Sequence, residues 1–319
     1  MLAVLLAIES VMVGAQPVPP ELIWQALTDA DRTSTQQLIV LELRLPRTLL
    51  GIAVGVALGA AATTMQALTR NPLAEPGLLG INAGAAAAAA TAISLGAHAG
   101  PFGHALFAFV GAAAAAIVVG ALGGAFRRGT DPVRLVLAGA ALSVVLGAYT
   151  QVLLINFPEV FDAFRHWVVG SLQGRSWEVV ATTAAIVAPA AALALLLTRA
   201  LNAAALGWDT GRALGVDPRR TAGLGLLVVV VLAGTATAAA GPIGFVGLLA
   251  ALGVRMLVGP DYRWVMPLAM VWAVVVILGA DILARILRSP AELPTSIVTA
   301  LIGAPVFILI VRRRRLVRL

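Results

Sequence analysis

Arg44 and Arg47 stand three residues apart at the head of a long apolar run, and Arg285 and Arg288 close another. Glu42, Asp281 and Glu292 lie next to them along the chain. A guanidinium presents a planar fork of donors that matches a carboxylate bidentately, so arginines grouped at one mouth would capture acidic groups of an external partner. The same residues also allow a closed arrangement, with Asp281 and Arg285 paired one helical turn apart and the long stems snorkelling along apolar surface. The sequence leaves both readings open. Other chemistry is scarce. There is no cysteine, which removes disulfides, thiolate metal sites and cysteine nucleophiles. Every basic residue is arginine, so no phosphate-binding loop of the Walker type and no Schiff-base lysine is present. His98, His104 and His166 have no carboxylate at metal-site spacing and read as interfacial or loop histidines.

These residues are positioned by membrane helices. The chain is 60% hydrophobic and 12% charged, with a mean hydropathy of +0.97, which a soluble domain of 319 residues could not hide. Apolar segments that reach or approach spanning length fall at 48–68, 78–97, 104–126, 135–155, 178–198, 222–239, 244–258, 264–284 and 296–311. Residues 1–15 form a further apolar stretch with Glu9 inside it. Val13-Gly14-Ala15 resembles a signal-cleavage site, but the basic leading region is missing, so a first span with a shortened start is expected. The expectation is an all-α, polytopic membrane protein of about ten spans, one transmembrane domain over 1–319.

Arginine sets the orientation. Placing the tail Arg312–Arg315 and Arg318 in the cytosol puts 69–77, 127–134, 199–221 and 255–263 there too. Those segments and the tail hold 15 arginines and 5 acids, against 7 arginines and 10 acids elsewhere, so both termini are expected in the cytosol. The positive charge therefore follows topology and is no signal for nucleic acid. Gly51, Gly55 and Gly59 fall on one helical face and read as a close-packing surface. Glu9 and Asp281 are the carboxylates nearest to mid-membrane, too few for an ion-coupled path. The longest cytosolic segment, 199–221, holds a short helix that Asp209 would cap and Gly215 would end, with Asp217-Pro218 opening the next turn. It reads either as a rigid connector or as a docking handle for a separate ATPase. Residues 159–171 look amphipathic, with Trp167 and Trp177 as interfacial anchors.

The stretch RLPRTLLGIAVGVALGAAATTMQALTRNPLAEPGLLGINAG from Arg44, together with GRALG, AGPIGFVGLL and ADILARIL…AELPTSIVTALIGAPVFI, resembles the FecCD-type permeases. These are the ferric-siderophore, haem and cobalamin branch of the ABC importers, with the type II importer fold. The likeness covers nearly the whole chain. It implies ten spans per subunit, a second permease subunit (identical or a paralogue), two ATP-binding cassette subunits and an external substrate-binding protein. It also implies a bacterial plasma membrane location, no cofactor on this chain, and ATP with Mg acting through the partner subunits.

Matched residue by residue, the resemblance assigns Arg44, Arg47 and Arg285 to the rim that receives the binding protein. It assigns Gly207, Asp209, Arg212, Ala213, Leu214 and Gly215 to the ATPase-coupling region at about 203–216. Asn71, Leu73, Pro132 and Val133 fall at the cytosolic gate, and Thr150, Gln151 and Thr299 are polar candidates along the pathway. Relatives commonly carry Pro-His where this chain has Ala251-Leu252, so no role of that histidine transfers. The expected function is the permease subunit of an ATP-driven importer for a ferric siderophore, with haem or cobalamin as the alternative cargo. An ion-coupled secondary transporter would need intramembrane titratable groups and an inverted repeat, and neither stands out. On this reading, Arg44→Glu with Arg285→Glu is expected to weaken binding-protein docking and leave stability nearly intact.

Overall fold

In lipid a chain satisfies its backbone polar groups through helices or closed barrels. Helices, turns and short irregular connections account for all the described residues here. The structure is a computed structural model that describes residues 1–14, 18–29, 33–96, 100–123, 132–288 and 291–312. Its elements are α1 (Leu2–Met12), α2 (Pro20–Thr28), α3 (Thr35–Leu38), α4 (Leu45–Thr69), α5 (Ile81–Ser94), α6 (Gly100–Leu122) and α7 (Pro132–Asn156). They continue with α8 (Pro158–Val168), α9 (Trp177–Ala205), α10 (Trp208–Ala213), α11 (Pro218–Ala240), α12 (Val246–Val258), α13 (Tyr262–Ile286) and α14 (Thr295–Arg312).

Six stretches among the described residues are long and apolar enough to cross a membrane: Thr35–Thr69, Ala105–Leu122, Val133–Asn156, Trp177–Ala205, Pro218–Ala240 and Tyr262–Ile286. Four shorter apolar helices, Leu2–Met12, Ile81–Ser94, Val246–Val258 and Thr295–Leu309, fall on the remaining expected segments. The largest boundary difference is at the segment expected from 48, which lies inside a continuous helix from Thr35. A π-helical stretch, Ile39–Arg44, joins α3 to α4, and the Leu45 N–H reaches back to the Val40 carbonyl. Pro46 supplies no N–H, and the widened turn before it lets the helix run through instead of starting there.

Helix starts follow local chemistry. Asp217 accepts the Arg219 and Arg220 N–H groups at the head of α11, and Asp261 accepts the Arg263 N–H at the head of α13. Helix α4 is central and is buried along most of its length against α9, α11, α12 and α13. Its glycine face is pressed onto α13. A Cβ on Gly55 would lie 2.8 Å from the Val274 Cα, and one on Gly59 would lie 2.6 Å from the Ala269 carbonyl oxygen. The surface is apolar where a soluble protein's would be polar. Helix α7 exposes Val133, Leu137, Val144, Val145, Val152 and Ile155, and α1 exposes Leu2, Val4, Leu5 and Ile8 while burying Ser10. Such faces suit lipid or another apolar subunit.

Because the atoms facing Gly59 are main chain, they cannot rotate away. Gly59→Ala should therefore lower stability by about 1–3 kcal/mol through overpacking. Gly279 of α13 has nothing within 4 Å of its Cβ position, so Gly279→Ala should be neutral or slightly stabilising. Thermal unfolding of the two variants in one detergent checks the contrast.

Candidate functional site

The arginines of the first reading converge at one end of the bundle, where α1 ends, α4 begins, α13 ends and α14 begins. Asp281, on the last turns of α13, is fully buried. The Arg47 Nε donates to Asp281 Oδ2 at 2.9 Å, and Arg47 Nη2 donates to Oδ1 at 2.9 Å. Arg47 Nη1 also pairs with Glu292 Oε2 at 2.5 Å. Arg285, one helical turn away, donates through Nε and Nη2 to Asp281 Oδ2, which it shares with Arg47, and the Thr295 hydroxyl donates to Oδ1 at 2.8 Å. All three arginines are buried.

Their remaining donors finish the end of α1. A helix leaves its last carbonyls without intrahelical partners. Arg285 Nη1 takes the Ser10 and Val13 carbonyls at 2.6 and 2.7 Å, and Arg44 Nη1 takes those of Val11 and Met12 at 2.9 and 2.7 Å. The Ser10 hydroxyl bonds Thr48 of α4 at 2.8 Å and also accepts from Arg285. The closed arrangement is thus the one the structure adopts, including the Asp281–Arg285 pair. Even so, the cluster borders a cavity of about 400 Å³ that Gly14, Arg44, Arg47, Gln173, Arg285 and Glu292 help to line. Among the described residues, three guanidiniums meet the carboxylates of Asp281 and Glu292 there. The roles of Thr295, Ser10 and Thr48 had no local signal, because they meet Asp281 and Arg285 only through the fold.

At the opposite end, α10 is a separate short helix. Gly207, at φ 109°, is its N-cap, and Asp209 lies inside the first turn. Asp209 therefore does not cap it as expected. Its side chain is 98% exposed and pairs with Arg212 at 3.3 Å. A backbone conformation open mainly to glycine at 207 places the start two residues earlier. The end matches the expectation. Gly215, at φ 83°, donates to the Arg212 carbonyl and Val216 donates to that of Gly211, which closes a Schellman motif. Ala213 and Leu214 form the last turn, with Leu214 exposed.

Asn202 is a positioning residue that spacing alone did not reveal. Its amide donates to Asp261 Oδ1 at 2.6 Å, and its oxygen accepts the Tyr262 N–H at 2.8 Å. It ties the end of α9, just before α10, to the start of α13. The Arg263 N–H and the Asn202 amide hold the Asp261 carboxyl below the usual carboxylate range.

The remaining candidates are spread out. The Asn71 side chain accepts the Leu73 N–H at 2.9 Å, which folds the loop after α4. Pro132 opens α7 and Val133 is exposed beside it, while 130–131 lie outside the described residues. Thr150 and Thr299 are buried, with hydroxyls turned back onto the Leu146 and Ser296 carbonyls of their own helices. Gln151 is exposed on α7. Helix α12 runs without interruption through Ala251 and Leu252, both buried. His98, 127–131 and the arginines from 313 onward also lie outside the described residues. Among the described residues, no group of histidines and carboxylates could hold a metal ion.

The architecture defines a multi-pass helical membrane protein with a buried ionic cluster at one end and a capped surface helix at the other. The chain belongs to the FecCD transport family, whose model matches residues 1–313. It is 43% identical to the ferric enterobactin transport system permease protein FepD of Escherichia coli (strain K12), over 96% of this chain and 91% of that one. It is 39% identical to the Fe(3+)-citrate import system permease protein YfmD of Bacillus subtilis (strain 168), over 88% and 84% of the two chains. Among solved structures, it is similar to a metal-chelate type ABC transporter in an inward-facing conformation. That match has a TM-score of 0.85 and 28% identity, covering 98% of this chain and 96% of the other.

Proposed function

We propose that this chain is the membrane-spanning permease subunit of an ATP-driven importer that takes up a ferric siderophore delivered by an external binding protein. The observation that carries the reading is the 43% identity, across nearly the full length of both chains, to a ferric enterobactin permease. The chain has no lysine for a nucleotide-binding loop, so ATP and Mg would act through two separate cassette subunits. In this reading α10 is the handle that those subunits hold. The loop from Asn71 to Leu73 and the start of α7 at Pro132 and Val133 close the cytosolic gate, and α7 and α14 line the path with Thr150, Gln151 and Thr299. A second permease subunit covers the apolar face of α7, and both termini lie in the cytosol.

The arginine end then has two duties. Arg44, Arg47 and Arg285 hold α1, α4 and α13 together, and where they line the adjacent cavity they receive a carboxylate of the binding protein. The second reading, haem or cobalamin as cargo, has support in relatives named for hemin transport and cobalamin import at 37% identity. The test is reconstitution of the chain with its cassette and binding subunits in liposomes. Vanadate-sensitive uptake of ferric enterobactin in preference to hemin and cobalamin is the expected result. Uptake of hemin or cobalamin alone would reassign the cargo, and gradient-driven uptake by the isolated chain would sink the ATP-driven reading.

A further inference from the structure

Phe245 is one of two non-glycine residues at positive φ among the described residues, with φ 67° and ψ −25°. The left-handed region is strained for an L-residue, and a bulky residue stays there only when its surroundings hold it. Two contacts do so. The Phe245 N–H donates to Glu75 Oε1 at 3.0 Å, across from the loop that follows α4. That carboxylate sits at the N-terminus of α12, where the helix dipole favours negative charge. Burial pushes the Glu75 carboxyl above its usual range, and the Phe245 N–H pulls against that shift. On its other side, the Phe245 side chain rests on the bare backbone of α14 at Gly303. A Cβ there would lie 2.5 Å from the Phe245 Cβ and 2.7 Å from its Cγ.

The turn from Ala240 to Phe245 is also tied to the α8–α9 connection. The Ala240 carbonyl accepts the Ser171 N–H at 2.8 Å, and the Gly170 carbonyl accepts the Ser296 N–H of α14 at 3.2 Å. One strained turn therefore touches the loop after α4, the α8–α9 connection and α14.

We propose that Glu75, Phe245 and Gly303 form a relay in which the loop after α4 sets the position of α14. With its carboxylate on the Phe245 N–H, Glu75 keeps the residue left-handed and its side chain seated on Gly303, which fixes α14. When the loop withdraws, Phe245 relaxes to negative φ and its side chain leaves Gly303, which frees α14 to move. Phe245 and Glu75 are positioning residues for transport, and the relay rests on the importer reading above. The Glu75 side chain is the switch because it joins the loop to the turn by a polar contact that a small displacement breaks.

The chain has no cysteine, so Ile302→Cys, on a half-exposed position of α14, gives a single reporter. Its labelling by a membrane-impermeant maleimide is measured in the complete reconstituted importer, with and without ATP and vanadate. The parent reporter should change its labelling rate with nucleotide, and Glu75→Ala should lose most of that change while Glu75→Gln, which keeps an acceptor oxygen, retains it. Gly303→Ala should lose it too, because the new methyl unseats Phe245, and Phe245→Gly alone should lose it as well, because no side chain is left to seat on α14. A parent reporter indifferent to nucleotide overturns the importer reading and the relay with it. A responsive parent with an equally responsive Glu75→Ala variant overturns the relay alone. If Glu75→Ala fails to assemble, Gly303→Ala and Phe245→Gly decide, and a full nucleotide response in both variants rejects the relay.

Discussion

Asp281→Ala will destabilise this protein by about 3–5 kcal/mol, the cost expected when one partner of a buried ion pair is removed and the opposite charge stays behind. Two guanidiniums would be left behind, since Arg47 and Arg285 both close on this one fully buried carboxylate. Arg285 would then lose the anchor that aims it at the Ser10 and Val13 carbonyls, so the end of α1 should loosen with it. Asp281→Asn, which keeps one acceptor oxygen for Arg47 or Thr295, should cost less. Thermal unfolding in detergent measures the first effect, and proteolysis between α1 and α2 reads the second. An Asp281→Ala variant as stable as the parent would mean that the cluster does not hold the bundle together.

The same geometry changes what the arginine reversal tests. Arg44→Glu with Arg285→Glu would set two carboxylates against four main-chain carbonyls of α1, so stability would fall along with docking. The milder Arg44→Gln keeps a donor for the Val11 and Met12 carbonyls while removing charge, and it separates the two duties better.

The apolar segments, the glycine face of α4 and the closing Gly215 were legible because each depends on local period or on one backbone angle. The Asp281–Arg285 pair was also visible, as two residues one helical turn apart. Its extension to Arg47, Glu292, Thr295 and Ser10 was not, because partners up to 275 positions apart meet only once α1, α4, α13 and α14 are packed. Asp209 misled because an acidic residue before a short helix is a good cap, while Gly207 could take a conformation that pattern reasoning does not see. Phe245 escaped for a related reason. Its residue type gives no hint of a left-handed backbone, and the residue that holds it there lies 170 positions away.

Leu214→Asp should abolish most ATP-driven transport while leaving the permease itself folded. Leu214 is 62% exposed at the last turn of α10, and the glycines at 207 and 215 fix the helix on both sides of it. An exposed leucine on a rigid, capped turn fits an anchor that a partner's cleft would bury, and losing such an anchor costs about 2 kcal/mol or more of binding, roughly thirtyfold in affinity. Arg212→Glu gives a second test with little structural effect. Its pair with Asp209 is exposed and worth at most about 1 kcal/mol, so folding should be unaffected while any carboxylate contact on the cassette subunit is reversed. Gly215→Val behaves differently, since it strains the Schellman turn itself and should move α10 bodily, at a local cost of about 1–3 kcal/mol. Co-purification of the cassette subunit and uptake per ATP hydrolysed read all three. Should Leu214→Asp and Arg212→Glu retain the cassette subunit and full uptake while Gly215→Val does not, α10 would be a rigid connector, and the cassette subunits would have to grip the chain elsewhere.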